Sequence, residues 1–299
     1  MTPPTVPPAR EGQPAPEGQP PTSVPSTHEG QPPPIPRLGT GIPPLSILID
    51  YDGTISLTDI TEQLLAQFVS DVVWEDAEAS YDAGRMGSRR LMAWEVSLID
   101  ADPDALRSFA ASQPHDPGFV PFIRRAQAAG IPVEIVSDGY GFFIQPALAA
   151  LGVGDLPVVT ARTTFEGRRA SIEFVNGHPT CLVCGTCKRQ RVLAHRASGR
   201  RVVYIGDGES DRYVAGYSDI VFAKRSLERI CLEAGWEFRR WTAFREIDAW
   251  LETTLVAWGD DPHTLEPVPD GAAPPRGYFC GPEVWGAGLE DPPPGSWPP

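Results

Sequence analysis

The stretch Ile47-Leu48-Ile49-Asp50-Tyr51-Asp52-Gly53-Thr54 decides the fold of this chain. An apolar run, typical of a buried β-strand, ends directly on two carboxylates that stand two positions apart. Open parallel sheets carry their chemistry at this C-terminal edge, and Gly53 allows the chain to turn there. One acid can act as a nucleophile and the other as a proton donor, with a divalent cation between them. An ordinary Asp-Gly turn is the alternative for this stretch taken alone.

Two later apolar runs also end in small and acidic residues. Residues 133–136 lead into Ser137-Asp138-Gly139, and residues 202–205 lead into Gly206-Asp207-Gly208-Glu209-Ser210-Asp211. Lys188 lies between them in the sequence, next to other basic residues that are more typical of a solvated surface. The order of two aspartates, a hydroxyl, a lysine and a second aspartate pair is far more specific than any one motif.

This order of motifs, over about residues 47–251, resembles the four motifs of the haloacid dehalogenase (HAD) superfamily. The resemblance implies that Asp50 is a nucleophile that forms an aspartyl phosphate, and that Asp52 protonates the leaving oxygen and later activates water. The dehalogenase branch lacks the second aspartate, because carbon–halogen cleavage has no alkoxide to protonate, so Asp52 favours a phosphatase. Ser137 and Lys188 are then the other catalytic residues: Ser137 donates a hydrogen bond to the phosphoryl oxygens, and Lys188 neutralises charge on Asp50 and on the phosphoryl group.

The resemblance also implies a site for Mg²⁺, which prefers hard oxygen ligands and retains several waters. Its predicted ligands are the carboxylates of Asp50 and Asp207 and the backbone carbonyl of Asp52. Asp59, nine residues after the nucleophile, matches an acidic position that faces the substrate in phosphoserine phosphatases. The residues expected to contact phosphate or to support the ligands are Gly53, Thr54, Asp138, Gly139 and Asp211. Asp211 would act on Mg²⁺ directly or through water, or would hold the lysine.

Cysteines crowd the approach to the lysine. Cys184-Gly185-Thr186-Cys187-Lys188 resembles the third motif of the methionine-salvage phosphatases that act on 2,3-diketo-5-methylthiopentyl-1-phosphate. Cys181, Cys184 and Cys187, with His178 nearby, also have a spacing at which thiolates could hold Zn²⁺. All of these ligands are local, whereas zinc sites usually join two separated pairs, so packing thiols are the favoured interpretation.

Composition predicts one folded unit between two proline-rich segments. Most of the 34 prolines lie in residues 1–44 and 259–299. We expect a disordered tail over 1–44 and a largely irregular tail over 259–299, whose aromatic residues either pack on the domain or contact a protein partner. A proline-rich ligand for a recognition domain is an alternative for the N-terminal segment.

The folded part is predicted as an α/β domain with a doubly wound parallel sheet. Its core is expected at residues 45–56 and 119–258, and a small all-helical cap at 57–118, where helical periodicity continues and no strand-like run occurs. Helices are expected at 119–129, 142–151, 191–200, 227–234 and 244–255, a short strand at 156–160, and a β-hairpin from 162–165 and 170–175. A chain cut to about residues 44–258 is expected to fold, since the removed segments should contribute little core.

Charge and hydropathy limit the partners. A net charge of −14 gives phosphate backbones no long-range attraction, which argues against nucleic acid. No apolar stretch approaches the ~20 residues of a membrane span, and the N-terminus lacks the apolar core of a secretory signal. The five cysteines do not form an extracellular disulfide framework, so a cytoplasmic location is expected.

These observations predict a Mg²⁺-dependent phosphatase of a small phosphorylated metabolite. A phosphotransferase or mutase would use the same first half-reaction and pass the phosphoryl group to an alcohol. A phosphate-binding interaction module without catalysis is the third hypothesis, but it would not need Asp50, Asp52, Lys188 and Asp207 together.

Overall fold

The computed structural model describes residue 32 and residues 34–69 and 73–286. A seven-stranded sheet crosses the molecule in the order β4-β3-β2-β1-β5-β6-β7. All neighbouring strands are parallel except β3 and β4, which are antiparallel. The strands are β1 (Leu45–Ile49), β2 (Val133–Tyr140), β3 (Val158–Glu166), β4 (Arg169–Glu173), β5 (Arg201–Gly206), β6 (Ile220–Ala223) and β7 (Arg239–Arg240). The prediction of a doubly wound α/β fold is confirmed.

Helices cover both faces of this sheet. They are α1 (Ile60–Phe68), α2 (Val73–Asp82), α3 (Ser88–Ser97), α4 (Pro103–Ala111), α5 (Phe119–Ala128), α6 (Gly141–Ala150), α7 (Lys188–Ala197), α8 (Arg212–Tyr217), α9 (Arg225–Glu233), α10 (Phe244–Asp260) and α11 (Pro282–Trp285). Two short 3₁₀ turns lie at Glu209–Asp211 and Pro262–Thr264. Within the described residues, no helix combines the length and the apolar character that crossing a bilayer requires.

The alternation of side chains along β1 divides the core into two layers. Ile47 and Ile49 face a cluster that includes residues of α5, α6 and α10, whereas Leu48 faces a second cluster with residues of α7, α8 and α9. Successive residues of a strand point to opposite faces, so a strand covered on both sides must be apolar throughout. Each fully buried side chain of this kind contributes about 1.5–3 kcal/mol to the free energy of unfolding.

The segment between β1 and α5, residues 50–118 and called the helical insert below, contains helices α1 to α4 in its described part, as the sequence predicted. Asp59 begins α1 as its N-cap, since its carboxylate accepts from the Glu62 N–H at 2.9 Å. Asp102 caps α4 in the same way, and Pro103 follows at its first position. The division into a core domain and a cap stays a prediction, as do its boundaries.

The predicted short strand at 156–160 and hairpin arm at 162–165 form one continuous strand, β3. Its first part pairs parallel with β2, and its second part, from Arg162, pairs antiparallel with β4. The turn of this hairpin reaches the helical insert: the Ala101 N–H donates to the Arg168 carbonyl at 3.0 Å, and Arg168 forms an ion pair with Asp100 at 2.7 Å. The polar side chains along the second part made the sequence resemble two separate strands.

Two further sequence predictions, both for residues after β4, differ from the structure. Helix α7 begins at Lys188, three residues before the predicted start at 191, so the lysine lies in the first turn of the helix. Strand β6 and helix α8 were not predicted, because four residues of strand and six of helix are too short to carry a clear period. Both elements are largely buried.

The proline-rich segments contribute more to the domain than the sequence indicated. Arg200 is almost wholly buried and donates to the carbonyls of Leu45 and Arg37 at 3.2 and 3.3 Å, so the segment before β1 lies against the domain. Beyond α10, Val268 and Cys280 are buried. The expectation that residues after 258 contribute little core is therefore wrong for the described part of that segment, which ends at Gly286.

Candidate active site

Three parallel strands bring the predicted motifs to one edge of the sheet. β1 lies between β2 and β5, and each strand runs in the same direction. Asp50 follows β1, Ser137 lies in the last part of β2, and Asp207 follows β5. All three side chains are buried. The carboxyl ends of adjacent parallel strands thus place residues far apart in sequence around one cavity.

Lys188 is the centre of this site. Its Nζ lies 2.8 Å from Asp50 Oδ1 and 2.6 Å from Asp211 Oδ1, and it donates to Ser210 Oγ at 3.1 Å. Burial alone would lower the pKa of Lys188, but the carboxylates of Asp211 and Asp50 outweigh it and raise the pKa above its usual value. The lysine is therefore held in its charged form beside Asp50.

Asp211 has no free lone pair in this arrangement. Its Oδ1 accepts from Lys188 and from the Tyr204 hydroxyl, and its Oδ2 accepts from the backbone N–H groups of Asp207 and Gly208 at 2.9 and 3.1 Å. A carboxylate offers about four acceptor positions, and all four are used here. Asp211 therefore orients the lysine and the loop after β5.

Asp50, Asp207 and Asp211 form a group that could hold a metal ion. One carboxylate oxygen from each lies within 4.8 Å of the others. Burial raises the pKa of Asp50, and Asp211 raises it further, while Lys188 lowers it. Such a set of oxygen donors with excess negative charge fits Mg²⁺. Because the oxygens of Asp211 already accept four hydrogen bonds, Asp50 and Asp207 are the members with donor capacity for a cation.

Asp207 is held from two sides. Thr54 Oγ1 donates to its Oδ1 at 2.8 Å, and Arg225 forms an ion pair with its Oδ2 at 3.0 Å. Gly53 packs so closely below it that a Cβ there would overlap the carboxylate, and its φ of +68° also favours glycine. The predicted residues Gly53 and Thr54 thus support the metal-binding group from the loop after β1.

The carboxylate of Asp52 lies at the N-terminus of α1, which begins eight positions later in the sequence. This carboxylate accepts from the Ile60 N–H at 3.0 Å and from Thr61 Oγ1 at 3.2 Å. Burial raises its pKa well above the usual value, and the charges of Asp59 and Asp50 raise it further. An aspartic acid with a raised pKa can keep a proton near neutral pH, which is the state that a general acid needs.

The second motif, Ser137-Asp138-Gly139 in the last part of β2, packs against Asp52 of the first motif. Ser137 Oγ accepts from the Gly139 N–H at 2.9 Å, which leaves the hydroxyl proton free to donate elsewhere. A Cβ at Gly139 would overlap the carboxylate of Asp52. The Asp138 carboxylate accepts a hydrogen bond from the Thr186 N–H at 2.7 Å and so connects this end of β2 to the segment before Lys188.

These residues line a cavity of about 350 Å³ between the sheet edge and the helical insert. Asp50, Asp52, Ser137 and Asp207 line its sheet end. Asp59, the predicted substrate-facing residue, lines the same cavity beside helix α1. The structure therefore brings together the catalytic and metal-binding residues that the sequence predicted, and their functional roles stay predictions.

Sequence reasoning missed three residues of this region. Arg225 contacts Asp207 and also donates to the Leu57 carbonyl at 3.1 Å, and it adopts a φ of +50°, which is unusual for a non-glycine residue. Tyr204 donates to Asp211 from inside a buried strand. Glu95 lines the cavity from α3. Only Glu95 left a signal in the sequence, as an acidic residue on the apolar face of an amphipathic helix.

The cysteines of the third motif lie beside the site without converging. Cys181, Cys184 and Cys187 line a small pocket together with Cys280 and Lys188. Within the residues that the structure describes, Asp50, Asp207 and Asp211 form a group that could hold a metal ion, and the thiols form no comparable cluster. Burial raises the pKa of Cys187 to about 11, so this thiol is protonated at neutral pH. The alternative of a zinc site is not supported.

Comparison with known proteins identifies a family whose model matches more than half of this chain. The family model described as haloacid dehalogenase-like hydrolase matches residues 47–215 of this chain. The matched region includes the first motif, the loop after β2, Lys188 and the Asp207–Asp211 loop. It also includes the whole helical insert.

Bacterial relatives share about a quarter of the residues with this chain. The chain is 28% identical to a 2-hydroxy-3-keto-5-methylthiopentenyl-1-phosphate phosphatase of Exiguobacterium sibiricum over 222 residues, covering 71% of this chain and 98% of that protein. It is 30% identical to a protein of the same name from Geobacillus kaustophilus over 209 residues, covering 64% of this chain and 88% of that protein.

Solved structures with the same fold include phosphoserine phosphatases. One, a phospho-aspartyl intermediate analogue of phosphoserine phosphatase, has a TM-score of 0.55 and 16% identity and covers 69% of this chain and 98% of its own. A probable phosphoserine phosphatase from Vibrio cholerae also has a TM-score of 0.55 with 16% identity, and the match covers 74% of this chain and 69% of that protein. At this identity the likeness extends to the fold alone.

Proposed function

This chain belongs to the haloacid dehalogenase-like hydrolase family and is a phosphatase, and we propose that it hydrolyses a small phosphomonoester through a phosphoryl group carried on Asp50. The observation that supports this most directly is the buried ion pair of Asp50 with Lys188 at 2.8 Å. It keeps one carboxylate oxygen engaged with the lysine while Asp50 still lines the cavity. The whole phosphatase motif set lies within the matched region.

The reaction proceeds in two displacements. A carboxylate oxygen of Asp50 forms a bond to phosphorus as the bond to the leaving oxygen breaks, and Asp52 gives its proton to that oxygen. A water molecule then attacks the phosphorus of the aspartyl phosphate. Asp52, now a base, takes a proton from this water, so that Asp50 and the protonated Asp52 are restored and phosphate leaves. The raised pKa of Asp52 supports its role as the proton carrier.

The phosphoryl group is bound by donors from three segments. Lys188 neutralises its charge, and the Ser137 hydroxyl and the backbone N–H groups of the loop after β1 donate to its oxygens. Gly53 and Thr54 shape this loop, and Asp211 keeps the lysine in place at 2.6 Å. These groups act together because positioning and charge stabilisation supply most of phosphoryl-transfer catalysis.

We propose Mg²⁺ as the cofactor, as in HAD phosphatases generally. The carboxylates of Asp50 and Asp207 would hold it, with the backbone carbonyl of Asp52 as a further ligand. When bound, the ion would stabilise the negative charge of the phosphoryl oxygens. The fit rests on the oxygen-only donor set and on its negative charge. Burial, and after it the charge of Asp211, raise the pKa of Asp207 to about 6, so a cation would stabilise its ionised form.

The substrate is a small metabolite, because a cavity of about 350 Å³ under a helical insert excludes a folded protein. The compound named for the relatives, 2-hydroxy-3-keto-5-methylthiopentenyl-1-phosphate, is one candidate, since those proteins share about a quarter of their residues with this chain. Phosphoserine is a second, suggested by the shared fold.

A hydrolysis screen over phosphorylated metabolites, with and without Mg²⁺, tests this function. We expect phosphate release that requires Mg²⁺ and is lost in Asp50→Asn. Asp76→Asn is the matched control, because Asp76 is an exposed aspartate of α2 outside the cavity. Release of phosphate by Asp50→Asn at the wild-type rate would reject the covalent mechanism, and transfer of the phosphoryl group to added alcohols in place of water would favour a phosphotransferase.

A further inference from the structure

The end of the cavity away from the sheet is strongly acidic. Apart from Arg225, every charged residue among those that line the cavity carries a carboxyl group. Arg225 lies at the sheet end, where it pairs with Asp207. Glu78 of α2 and Glu95 of α3 belong to the helical insert, together with Asp59, Glu62 and Asp82. A substrate bound with its phosphate at Lys188 therefore directs its leaving group toward these carboxylates.

Glu95 is the member of this group with an unused acceptor. It is only 2% exposed, and its Oε2 accepts from the Tyr140 hydroxyl at 2.9 Å. Its Oε1 is buried and has no hydrogen-bond partner. Leaving a buried carboxyl oxygen without a partner costs about 1–3 kcal/mol or more, so such an atom beside a cavity indicates a missing donor.

The burial of Glu95 follows from its position on α3. Ser88, Leu91, Met92 and Glu95 recur at helical spacing and are all buried, so the acid stands on the face that points into the molecule. Glu78 is half-buried on the neighbouring helix, and the charge of Glu95 contributes to its raised pKa of about 8, after burial itself. The two carboxyls are thus close enough to influence each other.

We propose that Glu95, together with Glu78, selects phosphomonoesters whose leaving alcohol carries a positively charged amine. An ammonium group supplies several N–H donors and a positive charge, and so satisfies the unpartnered Oε1 and offsets the acidic surroundings. A carboxylate at the same place would lie among these carboxyl groups, and Arg225, the one cation among the described residues that line the cavity, is already paired with Asp207. The inference rests on the proposed phosphatase function and names the substrate class of the same site: of the two candidates above, phosphoserine carries an ammonium group and the methylthiopentenyl phosphate does not. The amine itself is not altered in the reaction.

Three substrates of equal length test the proposal. O-phosphoethanolamine, 2-hydroxyethyl phosphate and phosphoglycolate share a two-carbon chain and end in an ammonium, a hydroxyl and a carboxylate. At about pH 8.5, above the raised pKa values of Glu95 and Glu78, we expect kcat/KM of the full chain with Mg²⁺ to be at least about tenfold higher for the amine than for the hydroxyl compound, and lowest for the carboxylate, since a charge-assisted hydrogen bond is worth that factor. Equal values, or a preference for the carboxylate, would overturn the proposal.

Glu95→Gln identifies the residue responsible. The substitution keeps the size of the side chain and an acceptor for Tyr140, so the preference for the amine should disappear while hydrolysis of 2-hydroxyethyl phosphate and p-nitrophenyl phosphate is retained. Asp76→Asn should keep the preference, because its carboxylate is an exposed one on α2 outside the cavity. An equal loss on all substrates would assign Glu95 a structural role only and reject the proposal.

Two further measurements keep the outcome decisive. If Glu95→Gln does not fold, Glu78→Gln, at a half-buried position, takes its place with the same expected loss of preference. Hydrolysis of p-nitrophenyl phosphate separates the proposed phosphatase function from the inference about the amine. If the wild type does not hydrolyse this compound, the phosphatase function is rejected and the inference with it. Its presence without a preference for the amine would reject the inference alone.

Discussion

Asp211 Oδ1 accepts a hydrogen bond of 2.6 Å from Lys188 Nζ, which connects the loop after β5 to the first turn of α7. Both side chains are buried, at 0% and 3% exposure. The same ammonium group contacts Asp50. The position of the lysine relative to Asp50 therefore depends on a residue that has no acceptor left for a metal ion.

Asp207 and Asp211 should differ in their effect on magnesium. Asp207→Asn removes a ligand charge, so the Mg²⁺ concentration for half-maximal activity should rise about tenfold or more. Asp211→Asn should lower kcat and thermal stability, because breaking a buried ion pair costs about 3–5 kcal/mol, while leaving the half-maximal Mg²⁺ concentration near that of the wild type. A Mg²⁺ titration of phosphate release measures both; an equal shift in the two variants would show that Asp211 is a ligand.

Asp50→Asn should abolish turnover and preserve the fold. The amide is a poor nucleophile, and activity should fall by more than about a thousandfold, as when other covalent nucleophiles are removed. Lys188 keeps Asp211 as its partner in the variant, so the protein should remain folded. Activity and melting temperature of the purified variant are measured together. Loss of the fold would leave Asp50 as a structural residue, and retained turnover would exclude it as the nucleophile.

Chelation should silence the wild-type enzyme reversibly. With the cation removed by EDTA, the carboxylates of Asp50 and Asp207 lack the charge that would balance them and the phosphoryl group, so phosphate release should stop. Addition of excess Mg²⁺ should restore it. Full activity after extensive dialysis against EDTA would contradict the assignment of the acidic group as a catalytic metal site.

Glu95→Gln should change the pH dependence of stability. Burial raises the pKa of Glu95 to about 7 from its usual 4.5. Below pH 4.5 the Glu95 carboxyl is protonated in both the folded and the unfolded chain, so it does not change the pH dependence of the free energy of unfolding. Between pH 4.5 and 7 the folded protein keeps a proton that the unfolded chain releases, so stability falls as pH rises, by up to about 3 kcal/mol in total, and the loss is constant above pH 7.

The neutral glutamine lacks this dependence. We therefore measure the free energy of unfolding of both proteins with urea at pH 5 and at pH 8. Relative to the wild type, Glu95→Gln should be more stable at pH 8 than at pH 5. Asp76→Asn should show no such gain, because its carboxylate is exposed. The same difference from wild type at both pH values would contradict the raised pKa.

Phe279→Ala should destabilise the domain. Phe279 stacks on Tyr217 at 4.7 Å between ring centroids and on Trp236 at 5.3 Å. The side chain is partly buried, so we expect a loss of about 2 kcal/mol, below the 3–5 kcal/mol of a fully buried phenylalanine. Leu232→Ala is the control, because Leu232 is 60% exposed, and should cost less than about 0.5 kcal/mol. Chemical denaturation measures both; equal effects would show that the segment after α10 adds little to stability.

The sequence predicted the sheet edge well because its signals are local. Asp50, Ser137 and Asp207 each follow an apolar run, and parallel strands bring such ends together without further information. Lys188 was found through its neighbourhood in the third motif. The start of α7 at this lysine was missed, since none of the residues before it caps the helix with its side chain.

The acidic end of the cavity and the packing of the termini depend on tertiary contacts. Glu78 and Glu95 meet only when α2 and α3 fold over the sheet, and Arg225 reaches Asp207 across 18 positions of sequence. The segment after α10 is rich in proline and polar residues, which is typical of tails. Its few apolar residues, such as Val268 and Cys280, nevertheless find buried positions. Composition averages over a segment and does not register single anchoring residues.

The hairpin of β3 and β4 couples the helical insert mechanically to the sheet. Its turn is fastened to the insert by the Ala101–Arg168 hydrogen bond and the Asp100–Arg168 ion pair, and its base is the parallel half of β3. Any displacement of the insert relative to the sheet would therefore have to move the hairpin with it or break these two contacts, and the chain would have to bend where β3 leaves β2 for β4, at Ala161 and Arg162.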